Sequence, residues 1–169
     1  RVHGGDIGEL VAGQCYWNMG ALWVERAARN WADRYSRGWS DMEWQLRNWL
    51  FTTWASGDHI VEQHVHNLDV MNWAFGAHPV RCAGMGGRAA RTDAMYGNVF
   101  DHHTVVFEFA NGVRVYALCR TTTGCYDEDS SLVFGTKGKA DVKRCRITGE
   151  TKWRRDGGGG PYHIEHDKL

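Results

Sequence analysis

The segment SGDHIVEQHVHNLDVMNW, residues 56–73, gathers three histidines and three acids within the twelve positions 58–69. Imidazole titrates nearer neutrality than any other unperturbed side chain. A carboxylate beside it raises and orients it, which makes the pair a general acid/base. On an unbroken helix His59, Glu62, His66 and Asp69 recur at i, i+3, i+7 and i+10 and share one stripe, with His64 on a different side. Such a stripe can exchange a proton with a bound substrate, or it can be a partly buried structural network. A second group, Asp101, His102 and His103 in YGNVFDHHTVVF, opens a strand. There the side chains either point into a cleft or merely begin a strand with polar residues. Third, seven of the nine tryptophans lie between Trp17 and Trp54, among Arg26, Arg29, Arg34, Arg37 and Arg47. Any single tryptophan fills a core by default, but this density of indoles and guanidinia also suits a pocket for a polar ligand.

Other chemistries are weaker. His59, His64, His66, His102, Asp101 and Glu62 are ligand types for zinc or iron. However, HxxxxHxH is not an established helical ligand spacing and HExxH is absent, so no metal centre is expected. A GxSxG nucleophile turn is missing as well.

These groups need elements to hold them. A strand is expected over 7–17, then a long functional loop over 18–42 with at most a short helix. A helix over 42–54 follows, with Asp41 as its N-cap. Gly57 breaks that helix, Asp58 caps the next, and Gly76 ends it after Phe75. Beyond Pro79 the apolar period shifts from helical to alternating, which predicts strands over 80–88, 103–109, 113–121, 131–134 and 140–147. FEFANGVRVY is a hairpin turned at Asn111-Gly112. GTKGKAD is another turn and lacks the GK[ST] ending of a phosphate loop; the run 157–160 is a flexible surface loop. In the hairpin, Val105, Phe107 and Phe109 share one face, yet Val106, Tyr116 and Leu118 make the other face apolar too. A sheet with one solvated face alternates more cleanly, so helices are expected on one side and a second copy of the chain on the other.

The bulk numbers bound the rest. A chain of 169 residues, 43% hydrophobic and 24% charged, makes one domain. Zero formal net charge gives no general electrostatic grip on nucleic acid or anionic membrane, and no apolar run reaches the length of a membrane span. Five cysteines, an odd count without a CxxC pair, argue against a disulfide framework or a thiolate zinc site. Packed reduced thiols point to a reducing compartment. The chain starts at Arg1 without a leader pattern and is expected to be an excerpt of a longer protein.

Taken together, IGEL (residues 7–10), SGDHIVEQHVHNLDVMNW, GMGGR (84–88), YGNVFDHH, NGVRV and PYHIEH resemble the bacterial-type C-terminal domain of the Gfo/Idh/MocA oxidoreductases over nearly the whole chain. EQHVHNLD is similar to that family's D-x-G-x-H-x-x-D pattern; Glu62 stands for the first Asp and His64 for the Gly, while His66 and Asp69 match directly. The resemblance implies an α+β fold, an open and mainly antiparallel sheet with helices on one face. It implies a single substrate-binding and oligomerisation domain over 1–169, with the dinucleotide-binding domain outside this chain; no GxGxxG occurs in the sequence. It further implies that His66 carries the substrate hydroxyl proton and Glu62 orients it, while His59, His64, Asp69, Arg47, Asn18, Asp101 and His102 contact a sugar or polyol. NAD or NADP would serve the full-length protein, with none bound by this chain, and homo-oligomers would form through the sheet face. The implied activity is a sugar or polyol dehydrogenase. An NAD-dependent glycosidase of the same superfamily and a binding module without chemistry are the alternatives. The compartment is expected to be cytoplasmic, or periplasmic by twin-arginine export as in some relatives.

Overall fold

A computed structural model describes residues 1–155; the expectations for the run 157–160 and for PYHIEH lie outside them. The first strand, β1 (Leu10–Met19), is central. It starts later than expected because residues 1–8 turn twice, with Gly5 and Gly8 in the left-handed region. It pairs in parallel with β4 (Arg114–Thr121) and antiparallel with β5 (Glu128–Gly135). The other strands are β2 (Arg81–Gly87), β3 (His102–Glu108), β6 (Gly138–Asp141), β7 (Arg146–Gly149) and β8 (Trp153–Arg154), giving an open sheet in the order β2-β3-β4-β1-β5-β6-β7-β8. The stretch expected as one strand over 140–147 is two. Asp141 accepts the Arg144 N–H and Cys145 N–H returns to Val142 O, so an aspartate-led turn separates β6 from β7.

Between β1 and β2 lie the helices α1 (Val24–Ser36), α2 (Asp41–Arg47), α3 (Thr53–Ser56), α4 (Asp58–Glu62) and α5 (Val65–Phe75), with a 3-10 turn at Trp49–Phe51. The expected long loop is therefore mostly α1. Its inward side is Ala27 and Trp31 rather than an aliphatic stripe, and Arg34 lies over the rings of Trp31 (5.4 Å), Tyr35 (5.6 Å) and Trp44 (4.7 Å). Ser40, not Asp41, caps α2, accepting the Glu43 N–H at 3.2 Å. The helix expected over 42–54 stops at Asn48, whose side chain turns away to donate to Met95 O.

The core lies between α5 and one sheet face. Met71 and Ala74 pack on Cys15, Val115, Ala117 and Val133, and Phe75 stacks on Phe109 at 4.9 Å. Strand alternation sends Tyr16, Val106, Tyr116, Leu118, Leu132 and Phe134 to the opposite face, where Tyr116 is 43% exposed and the others are half-buried.

Candidate functional site

The positions of the clustered histidines follow from one irregular turn. Gly57 takes φ +73 and ends α3; Asp58 follows at φ +69, its carboxylate accepting the main-chain N–H groups of His59 and Phe100. Past Glu62 the helix widens. His64 N–H reaches His59 O, five residues back, at 3.3 Å, while Gln63 N–H bonds the same carbonyl at 3.1 Å. A π-type turn of this kind adds roughly one residue and slips the helical phase by about 100°. The stripe expected from the sequence is therefore not formed. His59 and Glu62 keep their spacing on α4, His66 and Asp69 keep theirs on α5, and the two pairs are out of phase. His59 is 6% exposed and His64 1%, whereas His66 and Asp69 reach the surface. Burial pushes His59 down to about 3, with the Arg91 charge as the next cause, and His64 down to about 4, with His103 next.

His66 sits beside Trp17, ring centroids 6.0 Å apart. The Lys143 ammonium lies 5.7 Å over the same indole and pairs with Asp129. Asp129 also accepts from Asn67, the residue after His66, at 3.3 Å. Asn67 Nδ2 has three further acceptors at 3.3 Å, Tyr16 O, Ser130 O and Ser131 Oγ, and so fastens the first turn of α5 to β1 and β5. An exposed imidazole thus stands on a fixed polar platform of Trp17, Lys143, Asp129 and Asn67, able to exchange a proton with a ligand approaching from outside. Of these neighbours the sequence pointed only to the tryptophans as a class. Asn67 lay unread inside the quoted segment, and Asp129 and Lys143 carry no signal without the strand register.

The remaining expected site residues are dispersed. Glu62 is half-buried, its carboxylate bonded to the Gln63 side chain. With His59, Leu22, Leu50, Gln63, Arg91, Val99 and Thr121 it lines a cavity of about 20 Å³, room for a water rather than a sugar ring. Among the described residues no hydrogen bond joins Glu62 to His66. Arg47 is exposed on α2, bonded to Glu43 at 3.0 Å and stacked 4.5 Å over Trp39. Asn18 is half-buried on β1. Asp101 is 1% exposed and accepts the N–H groups of Ala89, Ala90 and Arg91 at 2.7–3.0 Å and pairs with His102 Nδ1 at 2.7 Å. Burial alone would raise its pKa; the bonds from Arg91, His102, Ala90 and Ala89 outweigh burial and hold it near 2. Asp101 anchors the loop it faces, and His102 keeps an exposed ring. The structure thus brings His59 and Glu62 to one small cavity, pairs Asp101 with His102, and sets His66 beside Trp17.

A dinucleotide needs a glycine-rich turn between a strand and a helix N-terminus. Here β1 passes into α1 through Trp23, a bulky residue at φ +56. This connection is not such a turn.

The architecture has solved counterparts. The aldose-aldose oxidoreductase of Caulobacter crescentus, complexed with glycerol, superposes with a TM-score of 0.65 at 14% identity over 98% of this chain and 46% of that one. The WlbA dehydrogenase of Bordetella pertussis, in complex with NADH and UDP-GlcNAcA, gives 0.62 at 14% identity, covering 99% and 44%. The myo-inositol 2-dehydrogenase of Lactobacillus plantarum gives 0.55 at 20% identity, covering 82% and 35%. This chain therefore spans less than half the length of each of these structures, and the likeness is one of fold. The comparison with curated proteins finds no match. A family model, the GFO/IDH/MocA C-terminal domain, matches residues 1–141, more than four-fifths of the chain. With the open sheet and its one-sided helices as expected from the motifs, the chain belongs to the GFO/IDH/MocA C-terminal domain family.

Proposed function

We propose that this chain is the substrate-binding and oligomerisation half of an NAD(P)-dependent sugar or polyol oxidoreductase, with His66 as the proton carrier. The observation that carries the reading is the exposed His66 ring fixed beside Trp17 by the buried neighbour Asn67. A proton carrier must come within hydrogen-bond reach of the substrate hydroxyl, so it has to lie at the surface that a ligand meets. Lys143 supplies a positive charge and several donors next to it, suited to hydroxyl or carboxylate oxygens. The solved relatives support the substrate class: their complexes hold glycerol or a nucleotide sugar, and one is named for inositol. The nucleotide, held by a domain outside this chain, would take the hydride. His66 would take the hydroxyl proton as a carbonyl forms, and would return it in the reverse direction. Asp69, one turn along α5, and Asn18 remain candidate contacts for the substrate.

The test is His66→Asn in the full-length protein. Turnover should fall by about two to four orders of magnitude, the usual contribution of general acid/base catalysis, at unchanged affinity for the nucleotide. Near-normal turnover would reject the assignment. Release of NADH from a polyol, rather than cleavage of a glycoside, separates the dehydrogenase from a redox-assisted glycosidase.

A further inference from the structure

Three groups that the sequence keeps far apart meet under α4. His103 on β3 and Cys119 on β4 are a direct cross-strand pair on the helix-covered face of the sheet. Asp58 and the wide turn lay α4 over them, which brings the His59 ring to 6.0 Å from that of His103, centroid to centroid, with planes inclined by 32°. A donor atom from each of His59, His103 and Cys119 falls within 4.8 Å of the other two. Buried polar atoms are nearly always hydrogen-bonded. Yet both ring nitrogens of His59, His103 Nε2 and the neighbouring Thr121 Oγ1 are buried with no hydrogen-bond partner. One donor atom from each of His59, His103 and Cys119 shares this small space, close enough for a common partner.

We propose that His59, His103 and Cys119 form a binding site for one divalent metal ion of the zinc class. Two imidazoles and a thiolate are the donor set that borderline-soft first-row ions take, and three protein ligands leave a fourth tetrahedral position for water. A water-sized cavity lined by His59 and Thr121 lies next to the cluster. Metal entry displaces the Cys119 thiol proton to solvent as the thiolate–metal bond forms. Asp58 Oδ1 lies 3.7 Å from His103 Nε2 and sets a negative charge at the edge of the cluster. One thiolate and Asp58 balance a divalent charge, and the nearby Arg91 has Asp101 as its own counter-charge. The expectation of no metal centre weighed spacings along the chain; this set depends on the register of β3 and β4.

Cobalt(II) titration of the chelator-treated chain tests the site without reference to activity. One equivalent should bind, with tetrahedral d–d absorption and a thiolate-to-cobalt charge-transfer band, and zinc should bleach both. Cys119→Ser should lose the charge-transfer band, whereas Cys82→Ser and Cys125→Ser, at exposed thiols, should keep it. Asp58→Asn should weaken binding, because it removes a negative charge beside the ligands. If Cys119→Ser proves unfolded by circular dichroism, loss of stoichiometric cobalt binding in a folded His59→Gln supports the site in its place. No saturable band in the wild-type chain, or a band surviving both Cys119→Ser and His59→Gln, would overturn the proposal and leave a water as the partner of these atoms.

Discussion

Replacing Asn67 by leucine, a side chain of similar size, tests whether α5 is pinned where the structure places it. Asn67 is 4% exposed and its Nδ2 faces four acceptors at 3.3 Å, of which its two hydrogens can serve two at once. Leucine removes both bonds and leaves the Asp129 carboxylate beside a methyl group. One neutral bond contributes about 1 kcal/mol and one to a charged acceptor about 1.5–3, so the loss is about 3 kcal/mol. For a chain of this length that lowers Tm by about 6–12 °C. Urea unfolding followed by tryptophan fluorescence and circular dichroism reads it directly. Asn67→Asp should be worse than leucine at neutral pH, because it sets a second carboxylate against Asp129 and two carbonyls with no donor. Such a carboxyl has a folded-state pKa above its unfolded one. Its variant is therefore least handicapped below the unfolded pKa and loses stability as pH rises. A cost below about 0.5 kcal/mol for leucine, typical of surface sites, or an aspartate variant more stable than leucine at neutral pH, would refute the pinning.

Three further outcomes are expected. Gly97→Ala should destabilise by at least about 3 kcal/mol in urea, since φ is +58 and an added Cβ would stand 1.9 Å from Phe51 O, the acceptor of the Asn98 N–H. Native thiol labelling should be fast at the exposed Cys82 and Cys125 and absent at Cys15, whose pKa burial and then Cys119 push up to about 12; denaturant should release it. Sedimentation of the chain should show a dimer or larger that Leu118→Arg with Tyr116→Glu dissociates, because that half-open sheet face is apolar; a wild-type monomer at micromolar concentration would count against an interface there.

The parts of this fold legible in the sequence are those where neighbours along the chain decide the outcome. β3, β4 and their turn follow from alternation and Asn111-Gly112, and Gly112 does take φ +82. Gly57 and Gly76 mark helix ends for the same local reason. α1 escaped because helix periodicity is read from aliphatic stripes, and this helix is held by Ala27 and by guanidinia stacked on indoles. The π-type turn after Glu62 has no marker in EQHVH; one carbonyl, that of His59, serves two N–H groups, and this small change separates His59 from His66. His103 beside Cys119 was out of reach altogether, since only a paired register makes positions on two strands adjacent.

The parallel pairing of β1 with β4 sets an order for how the chain acquires its shape. Within this domain β1 precedes the other described strands, yet its partners, β4 and β5, arrive about a hundred residues later. Closing a loop of that size costs on the order of 4 kcal/mol in chain entropy before any pairing returns it. On the ribosome the helices and the β2-β3 hairpin can form from near neighbours, but the middle of the sheet stays open until Gly135 has emerged. Until β4 emerges β1 presents two unpaired edges, and until β5 emerges it keeps one, the state in which strands recruit strands from other chains. Folding of this domain should therefore be slow for its size and end in a single late closure around β1, and a chain released before β5 should aggregate rather than settle into a smaller version of the fold.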